Sequence, residues 1–525
     1  MSSAVAHRTP PAQKPAANPA FVLATASATC ALIVLDTNVV AVSLPSIARS
    51  FHASFADVEW VVSAYMVAFA ACLLPAGALA DRVGRKKMLL LGLAVFFVAS
   101  LGCGVAPSAA VLNVARAVKG VGAAMLLTAA LAVIANTFHD GPARMRAWAV
   151  WGTCMGVATT VAPLVGGVVT QWLGWRWIFL LNLPVCAVLA WCASRALRES
   201  RNPAPGPLDA AGSLLFGVAL ALGIWALIEV PAGGLASWAT GARLVACALL
   251  FGAFIQSQRV RTHAVVDLGL FRQPRFVAAV LAMFGYAACA QVMMTFLPLY
   301  LQNAFGLSAV AAGVGMLPFA LAMVVGPYIG AALGKRIPAL ALLSAGLLLI
   351  ALGNLLTALM ASGERYAWVA LGMIVTGLGA GILNGDTQKA IMACVPPDRT
   401  GMASGISTTT RFTAIVTSVG VLGAVLAART HAAFVAATPL TPDVKAALDA
   451  GFMSRVLAGD TAQATAHLPP MLRAALTSAA HASFADGFAA ALCVAGLVAA
   501  SVAVGVWLLA GRAEALRMRG VASNG

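Results

Sequence analysis

Residues 21–47 read FVLATASATCALIVLDTNVVAVSLPSI, twenty-seven residues with one ionisable side chain, Asp36. About 20 apolar residues in a helix cross a bilayer. The run is longer than the 7–15-residue core of a signal peptide. It therefore reads as a first membrane span, preceded by an Ala- and Pro-rich polar tail, with an acid near its middle. The rest of the chain has the same character. Of 525 residues, 61% are hydrophobic and 10% charged, with mean hydropathy +0.92. Soluble proteins carry roughly 25% charged residues. A soluble enzyme, a disordered chain and a secreted disulfide scaffold are excluded. The ten cysteines form no CxxC pair and read as small apolar packing residues.

Fourteen such runs can be counted, near 21–46, 56–76, 88–107, 109–135, 147–171, 177–196, 209–230, 236–258, 275–301, 308–332, 338–360, 366–393, 401–428 and 484–510. An even count puts both termini on one side. The net charge of +16 then resolves into topology: 22 Lys and Arg fall in one set of alternating loops, 8 in the other, and Arg116, Lys119 and Arg411 lie inside spans. The richer set is expected to be cytosolic, and nucleic-acid binding is not expected. Polar, Pro-rich 198–208 and basic Gln256–Arg275 bracket spans 7 and 8, so the chain divides as six, two, six. The expected divisions are a cytosolic tail over 1–20, a six-helix bundle over 21–200, two linking helices over 201–270, a second bundle over 271–510 and a cytosolic tail over 511–525. The second bundle includes a long external loop, 429–483. There Thr441-Pro442-Asp443 reads as a helix start, and one or two short surface helices are expected.

Between spans 2 and 3 stands Gly77-Ala-Leu-Ala-Asp81-Arg82-Val-Gly84-Arg85-Lys86-Lys87. Its glycines permit a tight turn, its cations suit anionic headgroups, and Asp81 can accept from a helix N-terminus. This spacing resembles the signature loop of the major facilitator superfamily. Leu35-Asp36-Thr37-Asn38 through Pro45 resembles the first-span motif of its fourteen-helix drug:proton antiporters. Arg116 to Gly122 is similar to their fourth-span motif, with Lys119 where Gln is usual. The stretch Gly156–Gly167, ending Ala162-Pro163-Leu-Val-Gly166-Gly167, resembles their fifth-span motif, with Ala162 where Gly is usual. The resemblance covers about residues 21–510. It implies an all-α major facilitator fold, two six-helix bundles plus two linking helices, that exports small organic molecules against a proton gradient by alternating access. Gly77, Asp81, Arg82, Gly84, Arg85, Pro163, Gly166 and Gly167 are the expected gating residues. Independently of the family, Pro163 can kink its span, and Gly166 and Gly167 allow close helix contact.

Charges within the membrane point to the function, because an ionisable group in hydrocarbon must face a cavity or a partner. Asp36 lies roughly 15 Å deep, and Arg116 and Lys119, one face apart at i,i+3, lie roughly 10 and 15 Å from the outer end of their span. These three are the expected proton-coupling residues, with Asp36 the proton acceptor. Asp386 and Arg411, both about 10–15 Å from the cytosolic side, are candidate cavity charges. No His falls within a span, and no HExxH, P-loop or paired-carboxylate hydrolase pattern occurs. Catalysis, a bound metal and any cofactor beyond the proton gradient are not expected. Span 10 carries no acid, so the expected substrate is a neutral, zwitterionic, monocationic or weakly anionic amphiphile rather than a dication. The bilayer of the cytoplasmic (inner) membrane is the expected surroundings; a periplasmic adaptor is compatible with such a topology but leaves no mark in this chain. Two rival readings are proton-coupled uptake or export of a specific metabolite and a transport-inactive membrane sensor or scaffold. Reporter fusions at residues 5, 205, 265, 450 and 520 test the topology: only the fusion at 450 should report outside, and an external signal from 265 would contradict it.

Overall fold

The computed structural model describes residues 18–138, 141–201, 209–234, 237–260, 268–361, 363, 365–395, 400–438, 451–466 and 468–522. Among the described residues, fourteen helices are long and apolar enough to span a membrane. They are α1 (Pro19–Phe51), α2 (Phe55–Val83), α3 (Arg85–Gly104), α4 (Ala109–Thr137), α5 (Gly141–Trp172), α6 (Trp177–Ala196) and α7 (Ala210–Gly233). There follow α8 (Trp238–Val260), α9 (Pro274–Asn303), α10 (Ala309–Leu333), α11 (Ala339–Ala361), α12 (Tyr366–Met392), α13 (Thr400–Ala437) and α14 (Pro470–Ala522). Every run read from the sequence is a helix. The face carrying Arg82–Lys87 is called the basic face below, and the opposite one the far face.

Local sequence sets the helix ends. Asn18 accepts from Ala20 N at 3.0 Å ahead of Pro19, and α1 stops at His52 in the left-handed conformation (φ 50°). Ser54 and Asp57 form a reciprocal capping box that starts α2. Gly84, at φ 116°, joins α2 to α3 in a conformation that other residues rarely adopt. In α9 a π-turn over Ala287–Gln291 interrupts the α-helical ladder.

The linking pair stands apart from the core. Helix α7 packs on α8, α2 and α13, placing it beside the line where the two bundles meet, while α8 leans on α7 and is otherwise largely exposed. The ion pair of Glu229 with Arg243 ties α7 to α8, with the Arg243 guanidinium 4.3 Å above the Trp225 ring.

The stretch between α13 and α14 is more helical than an external loop. Helix α13 continues to Ala437 and α14 begins at Pro470. Among the described residues, two short helices, Phe452–Ala458 and Thr461–Ala464, lie between them. Phe452, Val456 and Ala464 are buried with Phe434, Leu468, Leu476 and Ala480 in a small satellite core, while Ala462 and Gln463 leave the second helix exposed on its other face. The helix start read at Thr441-Pro442-Asp443 lies outside the described residues, as do most of the N-terminal tail and the Pro-rich 202–208.

The bundles meet on the far face. Gln302 Nε2 of α9 donates to Val42 O of α1 at 2.9 Å, and Val310 N of α10 donates to Gln171 Oε1 of α5 at 3.2 Å. The inter-helix segment joins them: Ser454 Oγ accepts from Phe55 N at 3.1 Å, and Gly459 O accepts from Arg49 at 3.2 Å. Among the described residues, the hydrogen bonds between the two halves lie on this face. A cavity of about 1100 Å³ opens on the basic side between α2, α7, α8 and α13, lined by Ala71, Phe216, Phe254, Arg259, Arg272 and Thr409 among others.

Candidate functional site

The structure brings Asp36, Arg116 and Lys119 together. Helix α1 carries Asp36 about 22 Å from its far end, at the 1.5 Å rise of an α-helix. On α4, Arg116 and Lys119 stand one turn apart and face it. Arg116 Nη1 lies 3.0 Å from Asp36 Oδ2, and Lys119 Nζ is hydrogen-bonded to Oδ1. Exposure is 3% at Asp36, 1% at Arg116 and 0% at Lys119. Asn182 of α6 adds a donor to Oδ1 at 2.9 Å, and Arg116 Nε is fixed by Val61 O at 2.9 Å. Aromatic faces receive what remains of the positive charge. Tyr65 lies 4.2 Å from the guanidinium, and Phe96 and Phe179 lie 4.6 and 4.9 Å from the ammonium. Two cations thus share one carboxylate in a buried pocket. Asn182, Tyr65, Phe96 and Phe179 were not singled out from sequence; a lone amide within the apolar sixth span was the one available signal for Asn182.

Helix α1 links this cluster to the seam. One turn beyond Asp36, a β-carbon on Gly166 of α5 would come within 2.8 Å of Val39 O, so only glycine permits the approach. Two turns beyond, Val42 O takes the hydrogen bond from Gln302 of the other half. Gly167 works likewise from the other side of α5: a β-carbon there would lie 2.5 Å from Ala309 O of α10. Pro163 lies next to Gly313 of α10, whose β-carbon would approach Pro163 O to 2.5 Å. The fifth-span motif is therefore packed where the halves meet.

The loop from Gly77 to Lys87 lies within the first bundle. Arg85 pairs with Asp81 at 3.2 Å, one turn apart. Asp81 was read as a cap for a helix N-terminus; that place is taken by Glu199, whose carboxylate accepts from Lys86 N and Lys87 N, each at 3.2 Å. A side chain at Gly84 would collide with that carboxylate. Lys86 Nζ closes the arrangement on Ser194 O and Leu197 O at 2.6 and 2.9 Å. Gly77 faces Thr128 of α4 with room to spare, and Arg82 lies on the last turn of α2.

Arg411 and Asp386 have separate partners. Asp386 pairs with Lys389 at 2.9 Å on its own helix, Lys389 being 75% exposed. Arg411 of α13 donates to Gln291 Oε1 at 2.7 Å, to Tyr286 Oη at 3.1 Å and to Asn384 Oδ1 at 2.7 Å. Its described acceptors are all neutral. The π-turn of α9 ends at Gln291 and so helps present it. Tyr286, Gln291 and Asn384 were not foreseen; single polar residues within apolar spans carry no period that would mark them.

Fourteen spans in two bundles, a linking pair and charges held at membrane depth define a multi-pass transporter fold. The Major Facilitator Superfamily model matches residues 26–440, and the chain belongs to that family. It is 32% identical over 401 residues to the multidrug resistance protein Stp of Mycobacterium tuberculosis, covering 76% of this chain and 74% of Stp. It is 31% identical over 478 residues to the multidrug efflux pump LfrA of Mycolicibacterium smegmatis, covering 90% of this chain and 93% of LfrA. In fold it is similar to a bacterial homologue of the human lysosomal transporter Spinster. The TM-score is 0.66 at 17% identity, over 95% of this chain and 97% of the other.

The geometry predicts strong energetic coupling within the cluster. Asp36→Asn leaves two buried cations without a counter-ion and should cost about 3–5 kcal/mol of stability. Adding Lys119→Met removes one of those cations, so the double variant should melt higher in detergent than Asp36→Asn alone. Additive losses would show that the cluster is not coupled.

Proposed function

We propose that this chain exports small organic molecules from the cytosol in exchange for protons, by alternating access. It would sit in the cytoplasmic membrane with both termini cytosolic, and would use the proton gradient without a cofactor or catalytic chemistry. The observation that carries this reading is the buried Asp36–Arg116–Lys119 cluster. The names of Stp and LfrA support the class of cargo, and the excess of cations on the basic face supports the orientation.

The proton step follows from the contacts. With the far face closed, Asp36 is a carboxylate neutralised by two cations. A proton arriving at an Asp36 oxygen removes its attraction for Arg116 and Lys119 and leaves two buried cations in mutual repulsion. That state is costly in this packing, so α1 must shift against α4. The same helix carries Val39 and Val42, which hold the seam to α5 and α9. Protonation and opening of the far face therefore favour one another. The proton enters from the outer phase while the far face is open and the substrate leaves there; the protonated halves then close, and release of the proton to the cytosol restores the ion pairs that hold the seam. Asp36→Asn removes the change of charge. It should abolish substrate-driven proton flux in proteoliposomes while the protein still inserts. Wild-type flux in this variant would refute the assignment, and substrate accumulation by energised right-side-out vesicles but not by acid-inside everted vesicles would favour the symport alternative.

The substrate's charge is constrained by the second half. Helix α10 contains no acid, Asp386 is already paired, and Arg411 offers a guanidinium whose acceptors among the described residues are all neutral. A desolvated dication beside that balance is unfavourable. Neutral, zwitterionic, monocationic or weakly anionic amphiphiles suit it, and the phenylalanine-lined cavity on the basic side suits their entry from the cytosol. In an efflux-deficient host the chain should give little resistance to a bis-quaternary biocide. Strong resistance that survives Asp386→Asn would contradict the charge argument.

A further inference from the structure

Glu59 lies one turn into α2, on the far face, and the reading above assigns it no role. It is 4% exposed, and among the described residues neither carboxylate oxygen has a hydrogen-bond partner. What covers it is the other half of the molecule: a β-carbon at Gly423 of α13 would overlap Oε1. Val58, Val62, Val419 and Leu422, all buried, surround the contact with apolar surface.

The charges on the elements packed against α2 are engaged elsewhere or stand apart. On α4, Arg116 and Lys119 hold Asp36. On α7, Glu229 holds Arg243. On α1, Arg49 donates to Gly459 O and to Ser46 Oγ, and His52 caps the helix end. On α3, Arg85, Lys86 and Lys87 sit at the basic face. On α13, Arg429 and His431 are exposed, and Arg411 binds its neutral cluster. Arg455 belongs to the short helix 452–458, and on α2 itself Asp57 closes the capping box while Asp81 pairs with Arg85. None of these forms an ion pair with Glu59.

An ionised carboxylate without partners in such a place costs several kcal/mol, whereas the neutral acid costs far less. When the halves part on the far face, Gly423 leaves Glu59 and water can solvate the anion. We propose that Glu59 is a second proton-binding site, one that latches the far face shut. The carboxyl O–H forms, with a proton drawn from the outer aqueous phase, as the halves close. It breaks, returning the proton to the same phase, as they open. This proton crosses no membrane, which separates Glu59 from Asp36. The inference rests on the alternating-access reading, since it needs a far face that opens.

Hydrogen exchange of the whole protein in nanodiscs tests it without requiring transport. Exchange in residues 55–66 and 416–430, corrected for the intrinsic effect of pH, reports opening of this contact. For one linked proton, opening in the wild type should rise by up to about tenfold per pH unit between pH 5 and 9. Glu59→Gln and Glu59→Leu, both neutral, should hold the face shut with a change below about twofold per unit. Asp36→Asn removes the opposing linkage of the first site, whose protonation favours opening, so its slope should be at least as steep as the wild type's, and loss of transport and loss of the latch remain distinguishable. Asp460→Asn is the second control. Asp460 is also buried near the far face, where burial pushes its carboxyl above the ordinary range against the pull of Arg49. A flat profile in Asp36→Asn, where the opposing linkage is absent, or an unchanged slope in the Glu59 variants, would overturn the proposal. So would a slope that vanishes with Asp460→Asn.

Discussion

One carboxylate held between two cations in hydrocarbon is the constraint on which the rest of the structure depends. Asp36, Arg116 and Lys119 could not be placed at this depth singly. Together they require α1 and α4 to meet at one height, α6 to supply Asn182, and three aromatic rings to line the remaining surface. The cluster keeps a surplus positive charge even so. It is poised rather than merely neutral, and a proton shifts its balance strongly.

That charge balance reaches the inter-bundle seam by a short path. The seam is made of backbone contacts, with glycines on α5 letting α1 and α10 approach and with Gln302 bridging to Val42. Contacts of this kind tolerate little displacement, because close-packed interfaces switch between discrete arrangements instead of deforming smoothly. A small motion of α1 is thus sufficient to loosen them. Glu59 belongs to the same economy of buried charge, on the other side of α2.

Most of the fold was legible in the sequence because the bilayer enforces it. Each span needs its own run of apolar residues, so all fourteen could be counted without knowing any contact. The Asp36 cluster was legible for the same reason, since three charges at matching depths in apolar runs have few alternatives. The polar partners were not. Asn182, Tyr286, Gln291 and Asn384 are single residues whose meaning depends on which helix faces them. Glu199 and Glu59 were also passed over. Glu199 looked like part of a polar loop, yet it caps α3 from over a hundred residues away. Glu59 looked like an acid near a helix start, where negative charge is ordinary. Only the packing of α13 shows that it is buried. The segment before α14 was read as loop because its apolar residues are too sparse for a span, although they suffice for a small core of their own.

The central claim is that a proton cycles on and off Asp36. Infrared difference spectroscopy of the protein in lipid, on stepwise acidification, observes this directly through the carbonyl stretch of a protonated carboxylic acid. The account predicts a band component that appears with acid, persists in Glu59→Gln, and is missing from Asp36→Asn, where only the bands of Glu59 and the other carboxyls remain. A band of undiminished size in Asp36→Asn would place the coupled proton elsewhere and contradict the account.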